Sequence, residues 1–374
     1  MAVSITSDRL KKLSLEAGQS PWLDNLTRGA LTSGELATLV DAGVRGLTSN
    51  PTIFQKAIMG SHDYDPQFRE LISAGHDVED AYWALVESDI RGAAELFAAL
   101  HAASNGHDGF VSVEVDPRLA RDTAGTLSAG RALHERLSMP NVMIKIPATK
   151  EGLPAIRTMI AEGRSVNVTL IFSLERYAEV MQAYIDGLTD RAKDPSADLA
   201  GIASVASFFI SRVDTEIDPR LEAHGSPGAL ALRGRAAVAQ AKLAYELFRR
   251  TFSGPRWEAL AARGARVQRP LWASTSTKNP AYPDTLYVDE LIGPSSVNTL
   301  PEATLVAFAD HGRVSTRVLE DVEDARAVWS GLSAFGIDVN EVAVKLETEG
   351  VASFTASFDD LLSVLSSKAA EFRS

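Results

Sequence analysis

The sequence contains no cysteine, which excludes a disulfide framework, a thiolate nucleophile and any zinc site built on sulfur. It lacks an excess of positive charge. Forty-nine acidic against 37 basic side chains leave a net charge of −12, whereas nucleic acid and anionic membrane surfaces both demand a basic face. No apolar run approaches the length that spans a bilayer. The segment Ser7-Asp8-Arg9-Leu10-Lys11-Lys12 has none of the apolar core of a secretory signal, so the glycosylation-type triplets Asn25-Leu26-Thr27 and Asn167-Val168-Thr169 are set aside. Walker A and Gly-x-Gly-x-x-Gly patterns are missing, and the seven histidines show no paired metal-ligand spacing. The expectation is a cytoplasmic protein that handles a small molecule, with no cofactor, no metal, and no nucleic-acid or membrane partner. The choice between monomer and homodimer stays open.

What is present is an alternation of short apolar runs with helical patterns. Strands are predicted at 21–26, 45–50, 110–116, 141–147, 165–172, 202–210, 267–274 and 285–292. Helices are predicted at 6–17, 33–41, 65–103 (two or three around the turn Gly75-His76-Asp77), 122–137, 152–162, 174–186, 230–252 and 301–309. A helical tail is expected over 321–335 and 358–372. Strand–helix alternation implies a parallel sheet covered by helices, and eight strands in 374 residues favour a (β/α)8 TIM barrel over an open sheet. No linker or internal repeat divides the chain, so residues 1–374 are expected to form one domain with extra helices and a helical C-terminal tail.

The run Asn141-Val142-Met143-Ile144-Lys145-Ile146-Pro147 holds one amine among apolar neighbours. Burial disfavours a charged amine, and a neutral amine attacks carbonyl carbon. Side chains alternate across a strand. The third strand therefore groups Ser112, Glu114 and Asp116 opposite three valines, and the fifth groups Ser165, Asn167 and Thr169 opposite Val166, Val168 and Leu170. Thr48 pairs with Asn50 on the second strand, and Asp24 stands among apolar residues on the first. If the apolar faces lie under helices, the polar faces point into the barrel, near the strand ends where barrel active sites form. An open sheet with one solvated face would make all of them ordinary surface residues. One amine with two carboxylates, Asp24 and Glu114, is equipment for Schiff-base carbonyl chemistry; a structural buried ion pair is the competing explanation. Arg212, after the sixth strand, and Lys278, in Ser274-Thr275-Ser276-Thr277-Lys278-Asn279 after the seventh, are candidate phosphate contacts.

Seven segments in order carry a family resemblance: Trp22-Leu23-Asp24, Thr48-Ser49-Asn50-Pro51-Thr52, Ser112-Val113-Glu114-Val115-Asp116-Pro117, Ile144-Lys145-Ile146-Pro147-Ala148-Thr149, Asn167-Val168-Thr169-Leu170-Ile171-Phe172-Ser173, Ser207-Phe208-Phe209-Ile210-Ser211-Arg212-Val213 and Ala273-Ser274-Thr275-Ser276-Thr277-Lys278. In these the chain resembles the transaldolases of the class I aldolase superfamily, in the longer form found in actinobacteria and cyanobacteria. The resemblance implies Schiff-base transfer of a dihydroxyacetone unit between ketose and aldose phosphates in the non-oxidative pentose phosphate pathway. It puts Lys145 at the Schiff-base position and Asp24 at the acid/base for the C4 hydroxyl. Glu114, with Thr169 and a water, falls on the proton relay. Asn50, Asn167 and Ser207 match contacts to the donor's hydroxyl groups, and Arg212 matches a phosphate ligand. Thr48, beside Asn50, and Ser276, beside Lys278, complete the expected binding set. Two departures stand out: Lys278 where many relatives have arginine, and Phe208 where proline is frequent. The alternatives are a fructose 6-phosphate aldolase releasing free dihydroxyacetone and a non-catalytic sugar-phosphate-binding barrel.

Overall fold

Short β-branched and aromatic runs form eight parallel strands: β1 (Gln19–Leu23), β2 (Gly46–Thr48), β3 (Phe110–Glu114), β4 (Val142–Pro147), β5 (Val166–Ile171), β6 (Ser204–Phe209), β7 (Arg269–Ala273) and β8 (Ser296–Leu300). In the computed structural model, which describes residue 5 and residues 7–373, neighbours in sequence pair in order, and β8 returns to β1 to close a barrel. The expected (β/α)8 architecture is therefore present. Every strand residue is buried, because the outward face lies under helices while the inward face fills the interior.

Side-chain caps set the helix starts. Asn50, Asp77, Asp122 and Ser173 each accept a hydrogen bond from the backbone N–H three residues on, which satisfies one of the first-turn donors that a helix leaves unpaired. Asp77 thus divides 65–103 into two helices, Asp65–Ser73 and Val78–Ala103. The leading helix spans Arg9–Leu15; Thr6, where it was expected to begin, lies outside the described residues.

The eighth strand differs from expectation. Residues 285–292 are not a strand: Leu286–Asp289 forms a single helical turn, and β8 lies further on at Ser296–Leu300. Tyr287 is drawn into the helical turn by its hydroxyl, which donates to the Asp214 carboxylate at 2.8 Å. The true strand carries Ser296 and Asn298, both fully buried, so its apolar signal is weaker than that of the run before it.

The two ends of the barrel are unlike. At the N-terminal end Arg269 is 4% exposed, donates to Ser20 Oγ at 2.9 Å and pairs with Asp108 at 3.3 Å. This plug leaves the C-terminal end as the open one. The tail forms a first helix, Val322–Gly331, extended by a 3-10 turn at Leu332–Phe335, and a second, longer than expected, at Val339–Arg373, which packs on the helix Pro51–Met59 that follows β2, with Thr52 and Ser357 hydroxyls 2.8 Å apart. Among the described residues no helix is long and apolar enough to cross a membrane.

Candidate active site

Lys145 projects from β4 with only 4% of its surface exposed. Its register partners are Glu114 on β3 and Asn167 on β5, so the alternation of the strands alone brings amine, carboxylate and amide to one level of the interior. The Nζ donates to the Ser49 carbonyl at 3.0 Å and lies 3.0 Å from Glu114 Oε2. That second contact is a buried ion pair within hydrogen-bond distance. The tail helix closes the amine from above, with the Phe354 ring centroid 5.8 Å from Nζ.

Both carboxylates have a raised proton affinity. Burial pushes Glu114 up, opposed by the Lys145 charge and reinforced by Asp24. Burial also pushes Asp24 up, opposed by Lys145, by the Thr48 hydroxyl and by Lys278. Desolvation outweighs the attraction of the amine in each case, which makes both groups better proton acceptors than free carboxylates. Asp24 keeps part of its surface open because it faces the cavity, and it accepts from Thr48 Oγ1 at 2.8 Å. Thr48 is itself 2.6 Å from Thr299 on β8.

The cavity at the strand ends holds about 360 Å³ and is lined by Asp24, Thr48, Asn50, Lys145, Thr169, Ser207, Arg212, Ser276 and Lys278 among others. Nine of the eleven sequence-derived candidates thus meet at one hollow. Asn50 lines the cavity while its Oδ1 caps the helix Pro51–Met59 by accepting from the Ile53 N–H at 3.0 Å. Thr169 Oγ1 is buried with no hydrogen-bond partner among the described residues. Glu114 and Asn167 stand behind the lining. Asn167 is fully buried, donating to Ser112 Oγ at 3.0 Å and accepting from Ser207 Oγ at 2.8 Å. It therefore orients Ser207, which does reach the cavity.

Sequence reasoning missed several lining residues: Lys56, Thr299, Ser353 and Phe354. Lys56 and Lys278 sit close enough, with Arg212, that their mutual repulsion adds to burial in pulling the Lys278 amine downward. Burial likewise lowers Arg212. None of these three cations forms an ion pair with a carboxylate among the described residues. In a chain of net charge −12, three cations gathered at one cavity mouth, with only the longer-range fields of Asp24 and Glu349 to offset them, form a site for an anion. The departure at Phe208 falls elsewhere: its ring packs edge-on against Tyr177 and Trp272, with centroids 5.6 and 6.3 Å away, and it does not line the cavity. No group of three or more His, Cys, Asp or Glu side chains among the described residues is arranged to hold a metal ion.

Comparison with known proteins agrees with this geometry. A family model described as Transaldolase/Fructose-6-phosphate aldolase matches residues 21–365. A protein named Transaldolase from Saccharopolyspora erythraea is 54% identical over 359 residues, covering 96% of each chain. Another of that name from a Parafrankia species is 53% identical over 93% of this chain and 95% of its own. Transaldolase 1 of Streptomyces avermitilis is 52% identical over 97% of this chain and 96% of its own. With its barrel, its enclosed lysine and matches of this extent, the chain belongs to the transaldolase/fructose-6-phosphate aldolase family.

Proposed function

We propose that this chain, acting as one catalytic domain, moves a dihydroxyacetone unit from sedoheptulose 7-phosphate or fructose 6-phosphate to glyceraldehyde 3-phosphate or erythrose 4-phosphate. The observation that carries the reading is the Lys145 amine, enclosed at the cavity floor 3.0 Å from Glu114, beneath a mouth ringed by Lys56, Arg212 and Lys278. The floor suits imine chemistry and the ring suits a phosphate, and the two share one hollow.

The steps follow from the placement of each group. A proton passing from Nζ to Glu114, whose affinity for it burial has raised, leaves a neutral amine and a neutral acid. This avoids separating charge in a low-dielectric site. The amine attacks the keto carbon of the donor. Glu114 returns the proton as the carbinolamine loses its hydroxyl, with Thr169 Oγ1, a buried hydroxyl without a hydrogen-bond partner among the described residues, completing the relay through a water. Asp24 then takes the proton of the C4 hydroxyl, and the C3–C4 bond breaks with its electron pair held by the iminium. The aldose phosphate leaves with the phosphate, so the remaining three-carbon enamine is kept by Asn50, by Ser207 oriented through Asn167, and by Thr48. Attack on an acceptor aldehyde reverses the sequence. Arg212, Lys278, Ser276 and Lys56 hold the phosphate of donor and acceptor in turn.

Relatives at 54% and 53% identity bear the name Transaldolase, which supports transfer over release of free dihydroxyacetone. We read the enzyme as cytoplasmic, and its net charge of −12 supports one that binds neither nucleic acid nor anionic membranes. Borohydride reduction with fructose 6-phosphate followed by peptide mass mapping should place a three-carbon adduct on Lys145, and Lys145→Ala should abolish it. A variant that still trapped covalently would remove Lys145 from the mechanism. An assay for free dihydroxyacetone without acceptor decides between transfer and release.

A further inference from the structure

Beside the cavity, two buried carboxylates make four hydrogen bonds that the reaction does not use. They lie one turn apart on the helix Ser211–His224, whose first turn carries Arg212. Asp214 accepts from the Ala237 N–H and from the Tyr287 hydroxyl, both at 2.8 Å. Asp218 accepts from the Gly234 N–H at 2.9 Å and from the Tyr282 hydroxyl at 2.7 Å. The two tyrosines belong to the segment that follows Lys278. That segment is folded back on itself by Thr277 Oγ1, which donates to the Pro283 carbonyl at 2.9 Å. Its start is tied to the same helix, where Ser211 N–H donates to the Ser274 carbonyl at 3.0 Å and the two hydroxyls are 2.9 Å apart. Lys278 and both acids line a single hollow of about 230 Å³.

Asp214 and Asp218 are 2% and 7% exposed. Burying carboxylates is costly unless donors surround them, and apolar side chains would fill the same space more cheaply. Directional bonds fix a distance where apolar packing does not. A third observation points the same way. Gly234 has φ +70°, and a Cβ there would fall 2.7 Å from the Tyr282 ring, so only glycine lets the tyrosine close on Asp218.

We propose that Asp214 with Tyr287, and Asp218 with Tyr282, are positioning residues that set the span between Arg212 and the loop bearing Ser276 and Lys278, and thereby the affinity for phosphorylated substrates. The proposal rests on the sugar-phosphate reading above. It also gives the segment 225–237 a purpose, since its backbone supplies one donor to each acid.

The test is Tyr282→Phe, Tyr287→Phe and the pair together, which remove hydroxyls and keep the rings. In the double variant KM for fructose 6-phosphate and the inhibition constant of inorganic phosphate should each rise roughly tenfold, while kcat stays within about twofold. Borohydride trapping of phosphate-free dihydroxyacetone should be unchanged. Gly234→Ala should reproduce the effect by displacing Tyr282. Unaltered phosphate inhibition, or an equal loss with phosphorylated and phosphate-free substrates, would overturn the proposal. Should the double variant fail to fold, Tyr282→Phe, at the half-buried ring, carries the same comparison alone. A wild-type chain that does not trap dihydroxyacetone sinks the transaldolase reading. One that traps normally, with variants of unaltered phosphate affinity, sinks only this proposal.

Discussion

The pair Lys145–Glu114 offers a quantitative check on the electrostatics of the site. At 3.0 Å, and with the effective dielectric of about 20 that suits protein charges, the attraction is about 5.5 kcal/mol. Both groups lose their water, which offsets part of this, so removing one partner should destabilise the fold by about 3–5 kcal/mol. Lys145→Met leaves Glu114 buried beside a thioether. Its proton affinity, already raised by burial above the ordinary value of 4.5, then loses the one strong term that lowers it. A carboxyl raised in the folded state stabilises fully only below its unfolded value, and that contribution is lost as pH rises through the folded value. The Lys145→Met variant should therefore be nearest the wild type in acid and weakest above neutrality. Adding Glu114→Gln to it removes the stranded charge and should restore most of the stability, giving a coupling of about 3 kcal/mol in a double-mutant cycle. Urea denaturation of the four proteins at pH 5.5 and pH 8 measures it. A coupling under about 0.5 kcal/mol at both values would refute a buried ion pair here.

Asp24→Ala should still form and trap the imine with fructose 6-phosphate, while kcat for transfer falls by roughly 10²–10⁴, the usual worth of a general base; stopped assays with borohydride quench separate the two steps. Lys56→Ala and Lys278→Ala should each raise KM for fructose 6-phosphate roughly tenfold or more at nearly constant kcat, and the effect should shrink in high salt. Steady-state kinetics at two ionic strengths decides this, and a fall in kcat alone would move Lys56 out of the phosphate site. Asp214 is pushed up to about 7 by burial from 3.8. Between those values the native chain holds a proton that the unfolded chain has released, so stability should fall as pH rises through that window, by up to ~4 kcal/mol. Melting curves from pH 4 to 8 should show this slope in the wild type and a flatter one in Asp214→Asn.

The strands β1 to β7 were legible as short apolar runs, several of them stopped by a proline or a capping side chain such as Asn50, Asp116, Pro147 and Ser173, and both faces of a barrel strand are buried. The eighth was not. Leu286-Tyr287-Val288 has the composition of a strand, yet Tyr287 answers to Asp214 across the structure, a contact that local pattern does not encode. The real strand hides its burial behind Ser296, Asn298 and Thr299. The site divides similarly. Lys145, Glu114 and Asn167 follow from alternation plus barrel closure, since adjacent strands put them in register. Ser353 and Phe354 reach the cavity only because a helix far along the chain crosses the barrel mouth, and no periodicity announces which turn of that helix will lie over the amine. Lys56 reads as a surface cation on the helix after β2, and its value appears only when barrel closure brings it near Lys278 and Arg212 from late in the chain.

The helix Val339–Arg373 follows all eight strands in order of synthesis. A nascent barrel that has already joined β8 to β1 would carry its nucleophile bare, without Phe354 above it, in a cell full of aldehydes and ketones. On that order of synthesis the amine would lie at the bottom of an open cup until the last helix docks over it. Any cut that removes the closing helix should therefore yield a protein prone to adventitious glycation at one residue.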